Sequence, residues 1–448
     1  MPPNILILMT DQQRPDAAGF LGNSVVRTPT LDALARDAVV FDNAYTPSPV
    51  CVPARPCIAA GKLPQTAGCL SYGDDIPAGS MTFPRVFSQH AYHTVVCGKL
   101  HHEGPDQYQG WNLRVGLDNA IGAPYVSGLI NEEQKKYPPR DDWWPWKKEV
   151  QMAGPGRSLY LFRDEMAVDG ACHILEQHFT PTYSSPHANK PLMLKVSLTL
   201  PHYPYLTDEK LFQYYYDRVS LFVDEQPSPH PRLSVDALPT GTELSIEEVR
   251  RATAAYYGMT EKADQLFARV VNQLKQVGQD IDDWIVVFMS DHGEMLGEHA
   301  VWMKYKFYES SVRVPFFIRW PKHFHPSHVS QNVNLCDLFS TLCDLAGFDC
   351  PQDLDSRSLE PLLEGKYENW INETISQLDD AVMIKQDSLK YIFFGDGSDE
   401  VLFDLSRDPS ENRDFAKEPE YQEAIKAFRR RLSQLGYNPI VESFNGAT

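Results

Sequence analysis

Ile285-Val286-Val287-Phe288-Met289 runs without a break into Ser290-Asp291-His292-Gly293, and this junction decides how the chain is read. An unbroken apolar run rich in β-branched and aromatic residues, closed by a polar turn, fits a strand buried on both faces, as in a parallel sheet covered by helices. Working outward, comparable runs occur at Ile5 to Met9, Thr94 to Cys97, Leu192 to Leu200 and Pro315 to Ile318. Between them lie helical stretches. Thr30 reads as the cap of a helix over Leu31 to Ala38, and Ser245 to Gln276 is long, charged and free of proline, as a helix requires. The pattern predicts an α/β fold, a large doubly wound, mostly parallel sheet flanked by helices.

Past Asp349 the character changes. Short strands are expected at Leu389 to Phe394 and Val401 to Asp404, then a charged helix from Glu418 to Leu435. The chain therefore divides into a large domain over residues 1–348 and a small α+β domain with a short antiparallel sheet over 349–448. Two segments break the α/β rhythm: Tyr137 to Trp146, with Trp143, Trp144 and Trp146 among prolines, and the proline-rich Asp224 to Thr240. Both read as insertions over the sheet. No repeat of solenoid or propeller type is visible.

The 448 residues carry a formal charge of -19, with acidic residues spread along the chain, which argues against a nucleic-acid partner. A few lysines, histidines and a metal can still make one pocket locally positive. No run approaches the roughly 18 apolar residues of a membrane span, and Met1-Pro2-Pro3-Asn4 has neither a basic segment nor a cleavage site, so a cytoplasmic location is expected. The eight cysteines form no CxxC pair, and neither a zinc cluster nor a disulfide framework is indicated. Oligomeric state stays open, a homo-oligomer included.

In open α/β sheets ligands bind beyond the carboxyl ends of the strands, and here four strand ends carry groups suited to chemistry. They are Thr10-Asp11-Gln12, Gly98-Lys99-Leu100-His101, Pro201-His202-Tyr203-Pro204 and Ser290-Asp291-His292-Gly293. Singly, each has an ordinary explanation: Asp11 as a turn cap, His202 as a surface turn residue, Asp291 to Gly293 as plain turn composition. Their coincidence at four strand ends carries the weight. Asp11, Asp291 and His292, with Gln12 as a further oxygen, make an oxygen-rich set with one imidazole. Such a set suits Mn²⁺, Ca²⁺ or Mg²⁺ better than a thiolate-seeking ion.

Cys51-Val52-Pro53-Ala54-Arg55 adds a nucleophile to this inventory. Pro53 and Pro56 fit the first turn of a helix that Gly61 can end, which places Cys51 at a helix N-terminus, where negative charge is favoured. A plain buried cysteine is the bland alternative.

With these residues assembled, the chain resembles the sulfatase family of the alkaline-phosphatase superfamily nearly end to end. The matching motifs are Asn4 to Asp11, the Cys51 to Arg55 maturation motif, Gly98 to His101, Pro201 to Pro204, and Ser290 to Gly293 followed by Trp302-Met303-Lys304. Leu402 to Leu405 with Asp408 to Asn412 resembles the family's C-terminal ending. Gln12 after Asp11 and His292 after Asp291, with Gly104-Pro105-Asp106-Gln107, resemble the branch containing choline sulfatases and phosphonate monoester hydrolases. Ala54 stands where Ser is commoner in the maturation motif.

The resemblance implies an alkaline-phosphatase-like fold and hydrolysis of a small sulfate ester, releasing sulfate and an alcohol. A separate maturation enzyme would convert Cys51 to formylglycine, whose hydrate is the nucleophile, and an oxygen of residue 51 would join Asp11, Gln12, Asp291 and His292 on the metal. Arg55 and Lys99 would hold the hydrated group, and Lys99, His202 and Lys304 would bind substrate. His202 and Lys304 would assist departure of the alcohol, and His101 would take the proton from the second hydroxyl.

A phosphonate monoester or phosphodiester is the alternative substrate for the same site. Direct thiolate chemistry of the cysteine-phosphatase type wants Arg six residues after Cys, and that position is Cys57. A non-catalytic binding protein would be expected to have lost some of these residues, yet all are present. The tryptophan cluster reads either as a cage for a cationic alcohol or as a loop anchored on the core, and the second is preferred. Tyr72, Asp74, His102 and Asp106 are expected to line the pocket without an assigned role. Because a serine ester lacks the second hydroxyl that expels product, Cys51→Ser should give at most stoichiometric esterification. Steady-state release of sulfate measured with that variant would contradict the mechanism.

Overall fold

The computed structural model describes residues 2–116, 146–222, 229–395 and 399–437. Strand β1 (Ile5–Thr10) shows why the sheet forms: Ile5, Ile7 and Met9 enter one hydrophobic cluster and Leu6 and Leu8 another. Alternation across a pleated strand thus meets apolar cover on both faces. The other strands of the sheet are β2 (Val39–Tyr45), β3 (His93–Gly98), β4 (Leu113–Val115), β5 (Leu192–Ser197), β6 (Ile285–Ser290), β7 (Phe316–Arg319) and β8 (Ser327–Asn334). Their order across the sheet is β8-β2-β7-β6-β1-β5-β3-β4. All neighbours pair in parallel except β7, which is antiparallel to both β2 and β6. The predicted doubly wound sheet is present, with one reversed strand.

Helices α1 (Pro29–Ala35), α3 (Leu159–Phe179) and α4 (Ile246–Gln276) cover the Leu6 face, while α5 (Leu338–Ala346) packs on the Ile5 face. Helix α2 (Cys51–Ala60) lies between β2 and β3 in the chain. Helix α4 starts as its sequence implies, with Ser245 and Glu248 forming a reciprocal capping box that satisfies free N–H groups. Helix α1 departs from expectation. Pro29 opens it, and Thr30 lies inside, where its N–H and that of Leu31 are accepted by the buried carboxylate of Asp264 on α4 at 3.1 and 2.8 Å. A distant carboxylate thus does the capping expected of Thr30.

Beyond residue 349 stand four antiparallel strands, β9 (Glu373–Leu378), β10 (Ala381–Gln386), β11 (Leu389–Phe394) and β12 (Asp399–Asp404), followed by α6 (Gln422–Gln434). Sequence pattern had suggested only the last two strands. The sheet packs on the preceding part of the chain through a cluster that joins Met383, Ile392 and Phe403 to Val50, Cys51 and Tyr308. Residues 229–240 of the proline-rich insertion reach the same cluster through Leu233, whereas residues 137–145 of the tryptophan segment lie outside the described residues.

Lys390 ties the two parts together. Its ammonium is fully buried and donates to the Phe307 carbonyl at 2.8 Å, to Glu309 at 2.9 Å and to Glu411. Removing it leaves buried Glu411 with only the Glu309 N–H among these contacts, and part-buried Glu309 with Arg313 and Tyr45 Oη. Lys390→Ala should therefore lower unfolding free energy by about 3–5 kcal/mol, read from urea denaturation; a loss comparable to that of a surface lysine would contradict this role.

Candidate active site

Strands β6, β1, β5 and β3 are adjacent in the middle of the sheet, so the four strand ends singled out from sequence are next-door neighbours. Asp291 follows β6, Asp11 follows β1, the turn to His202 follows β5 and Lys99 follows β3. Glycine permits the crowding at two of them. Gly98 has a φ of +96°, and a Cβ there would lie 2.1 Å from the Ser197 carbonyl oxygen; one on Gly293 would lie 1.9 Å from that of Ser310. Any side chain would force these close backbone contacts apart. The turn to His202 is fixed differently, by the Asp164 carboxylate accepting from the N–H groups of Thr199 and Leu200 at 2.7 and 2.8 Å.

Arg55 draws the ends together. Its Nε donates to Asp291 Oδ2 at 2.6 Å, Nη2 to Asp11 Oδ2 at 3.1 Å, and Nη1 to the Lys99 carbonyl at 3.0 Å and Ser197 Oγ at 2.9 Å. Where the resemblance implied a grip on residue 51, these hydrogen bonds run to the two carboxylates and to the β3 and β5 ends. Lys99 Nζ also pairs with Asp11 Oδ2. Burial works against ionisation of Asp11, but Lys99, His202, Arg55 and Lys304 outweigh it and hold the carboxyl well below its ordinary range.

The remaining lone pairs face one another. His292 Nδ1 lies 2.9 Å from the Gly293 carbonyl, which places the proton on Nδ1 and leaves Nε2 bare. Nε2 lies 3.7 Å from Asp11 Oδ1 and 3.8 Å from Asp291 Oδ1. Neither Nε2 nor Asp11 Oδ1 has a hydrogen-bond partner, although both are buried. Asp11, Asp291 and His292 offer ligand atoms within 4.8 Å of one another and are the sole such group among the described residues. Asp291 Oδ1 accepts from the N–H groups of Gln12 and His292 at 3.1 and 2.9 Å, but buried acceptors without donors are costly, and a divalent cation would satisfy Asp11 Oδ1 and His292 Nε2 with Asp291 beside them, so the donor set fits one.

Cys51 is buried beside this centre. Helix α2 does not begin as smoothly as its prolines suggested: Val52 is extended, with φ -114° and ψ 116°, so regular helical backbone runs over residues 53–60. Cys51 thus stands just ahead of the helix proper. Burial disfavours its thiolate, yet His101, Lys99 and Lys304 together bring the thiol well below its ordinary value. Its sulfur occupies the place where the oxygens of an oxidised side chain would stand. His101, at φ 61° and bonded to Glu103 Oε1 at 3.1 Å, is pushed up to about 9, because the Cys51 thiolate outweighs burial.

Lys304 enters from the loop after β6. Tyr305 N donates to the Pro49 carbonyl at 3.0 Å, pinning that loop to the segment before Cys51, and Lys304 Nζ donates to Gln12 Oε1 at 2.7 Å. His202 Nδ1 is spent on the Tyr203 carbonyl at 2.7 Å, leaving Nε2 as the end that can meet a substrate. Burial and Lys304 depress its basicity. The structure thus gathers Asp11, Gln12, Cys51, Arg55, Lys99, His101, His202, Asp291, His292 and Lys304 at one sheet edge.

Tyr72, 44% exposed and edge-on to His101 at 5.9 Å, forms part of the rim. Asp74 and Asp106 have structural partners: Asp74 accepts from the N–H groups of Leu70 and Ser71, and Asp106 accepts from the N–H groups of Gly79 and Gln109 and from Arg85. Trp146, the one tryptophan of that cluster among the described residues, stacks on Tyr305 at 5.9 Å. Sequence reading missed Ser197, Tyr203, Tyr305 and Glu294. Glu294 directly follows Gly293, and that adjacency was the available signal.

Comparison with known proteins bears on the same residues. The sulfatase family model matches residues 3–348, and the C-terminal model of N-sulphoglucosamine sulphohydrolase matches 297–438. A choline-sulfatase of Rhizobium meliloti is 31% identical over 452 residues, covering 95% of this chain and 85% of that protein. An arylsulfatase of Clostridium perfringens is 29% identical, covering 96% and 94%. Among solved structures, a phosphonate monoester hydrolase of Agrobacterium radiobacter superposes with a TM-score of 0.78 at 22% identity, covering 97% of this chain and 95% of that one. Its fold is the fold described above.

If the bare lone pairs form a cation site, metal-free protein should melt at higher temperature as Mn²⁺ or Ca²⁺ is added. The expected gain is about 2.7 kcal/mol at a free concentration of ~100 Kd. Asp11→Asn should abolish the gain; an equal shift in that variant would contradict the assignment.

Proposed function

The chain belongs to the sulfatase family, and we propose that it cleaves the S–O bond of a small sulfate ester with a nucleophile made from Cys51, beside a divalent ion held by Asp11, Gln12, residue 51, Asp291 and His292. It is a sulfuric ester hydrolase by kinship; the nucleophile, the metal and the residue roles are the proposal. The observation that carries it is the convergence of the bare Asp11 Oδ1 and His292 Nε2 with the Asp291 carboxylate, beside Cys51 and its cationic neighbours.

Mn²⁺ or Ca²⁺, with Mg²⁺ as a further choice, would polarise a substrate oxygen and stabilise charge on the attacking group. As formylglycine, residue 51 would supply a hydrated aldehyde, one hydroxyl displacing the alcohol from sulfur and the other expelling sulfate as the aldehyde reforms. Arg55 keeps the two ligand carboxylates in register. Lys99 and Lys304 add positive charge where the ester oxygens gather, so an anion is attracted although the protein is acidic overall. Lys304, as an ammonium, can donate a proton to the departing alkoxide, with His202 hydrogen-bonding the same region. His101, held by Glu103, can take the proton from the second hydroxyl. The maturation enzyme that oxidises Cys51 is an expected partner.

The choline-sulfatase relative brings a small cationic alcohol into consideration as the leaving group, and the faces of Tyr72, Tyr203 and Tyr305 beside the site suit either a cation or an aryl ring. All eight cysteines are free thiols, which suits the proposed cytoplasmic location. No helix among the described residues is long and apolar enough to cross a membrane.

A phosphonate monoester would meet the same cations and is the alternative substrate. Protein co-expressed with a formylglycine-generating enzyme should turn over 4-nitrophenyl sulfate with a higher kcat/KM than phenyl phosphonate esters, and choline sulfate should be tested beside them. The reverse ranking would transfer the assignment to phosphorus. Loss of sulfatase activity on chelation, and its return on adding Mn²⁺ or Ca²⁺, is expected.

A further inference from the structure

Glu294 is a fully buried carboxylate to which the roles above assign nothing, yet it accepts hydrogen bonds from three segments of the site. Its Oε1 accepts from the backbone N–H groups of Leu296 and Met303 at 2.8 and 2.7 Å. Its Oε2 accepts from Tyr205 Oη at 3.0 Å and from Gln12 Nε2. Met303 precedes Lys304, Tyr205 follows the His202 turn, and Gln12 follows Asp11. One side chain therefore joins the loop carrying Lys304, the turn carrying His202 and the end of β1.

The Gln12 amide is the informative partner. An amide can face either way round, and its chemistry here is decided by what stands at each end. A carboxylate accepts and cannot donate, so Nε2 faces Glu294. An ammonium donates and cannot accept, so Oε1 faces Lys304, at 2.7 Å. The backbone of Gln12 is held as firmly, at a φ of 65°, with its N–H on Asp291 Oδ1 at 3.1 Å and its carbonyl accepting from Tyr256 Oη at 2.7 Å. A non-glycine residue in the left-handed region is disfavoured and persists where surrounding contacts fix it.

We infer that Glu294 is a positioning residue that fixes the side-chain amide of Gln12, keeping its carbonyl oxygen turned to the metal and Lys304 side of the site. The inference rests on the reading of Gln12 as a metal ligand. Hydrogen-bond partners of ligands commonly set metal affinity in this way, and their loss weakens it by about 10–100-fold.

A donor–acceptor swap tests the inference. In Glu294→Gln, the backbone N–H groups of Leu296 and Met303 retain the new carbonyl oxygen, and the new NH₂ confronts Gln12 Nε2. Gln12 must turn round and present donors to Lys304 and the metal. In Gln12→Glu, two carboxylates face each other. In the double variant Gln12→Glu/Glu294→Gln the donor faces an acceptor again, while the second oxygen of the carboxylate introduced at position 12 remains toward Lys304.

Mn²⁺ and Ca²⁺ affinities are measured by calorimetric titration of metal-stripped, full-length matured protein, with kcat and KM on an aryl sulfate alongside. The parent protein should bind, Glu294→Gln should bind at least ~10-fold more weakly with a fall mainly in kcat, and the double variant should recover most of that affinity. Unchanged affinity in Glu294→Gln, or no recovery in the double variant, overturns the inference. Should Glu294→Gln not fold, the double variant must still bind more tightly than Gln12→Glu alone, and equal or weaker binding overturns it. Absence of divalent-ion binding by the parent protein would instead overturn the metal reading itself.

Discussion

The buried guanidinium of Arg55 is the constraint on which the rest of the site depends. Asp11 and Asp291 present carboxylates within 4.8 Å of one another and of His292 in the protein interior. Unit charges at about 4 Å repel by about 4 kcal/mol even at an effective dielectric of about 20. Arg55 answers with a planar fork that reaches both acids and also the ends of β3 and β5. A lysine in its place could supply the charge but not the geometry. Removing the fork would leave two buried anions and four strand ends without a common partner.

Arg55 is spent on one oxygen of each carboxylate, which leaves Asp11 Oδ1 and Asp291 Oδ1 turned toward the bare nitrogen of His292. The hydrogen bond from His292 Nδ1 to the Gly293 carbonyl fixes the tautomer, as it does for ligating histidines generally. Positive charge from Lys99 and Lys304 is stationed on the other side, near Cys51. On the proposed reading the arrangement separates two tasks: carboxylates and imidazole would gather a cation, and lysines and histidines would meet an anion. A chain with a net charge of -19 can thus hold a pocket attractive to a sulfate ester.

Legibility in the sequence followed from locality. Ile5 to Met9 and Ile285 to Met289 were readable as strands because double-sided burial leaves an unbroken apolar run, and the polar residues directly after them fell at the functional edge. Strands β2 and β8 escaped because Asp42 and Asn43 interrupt the first, while the second is an edge strand with polar residues at Ser327, His328, Ser330 and Gln331. Thr30 failed as a cap because Asp264, more than two hundred residues away, supplied the acceptor. The site residues themselves were named from motifs, but their partners were not. That Arg55 grips Asp11 and Asp291, or that Glu294 orders Gln12, depends on tertiary distances that no spacing along the chain encodes.

The central claim is that Cys51 is a precursor and not the working group. It is tested most directly by mass spectrometry of the tryptic peptide carrying residue 51, taken from protein that turns over a sulfate ester. The account predicts the mass deficit of an aldehyde in place of the thiol, in a fraction of molecules that rises in step with specific activity. Full activity from protein whose residue 51 is entirely unmodified cysteine would contradict it.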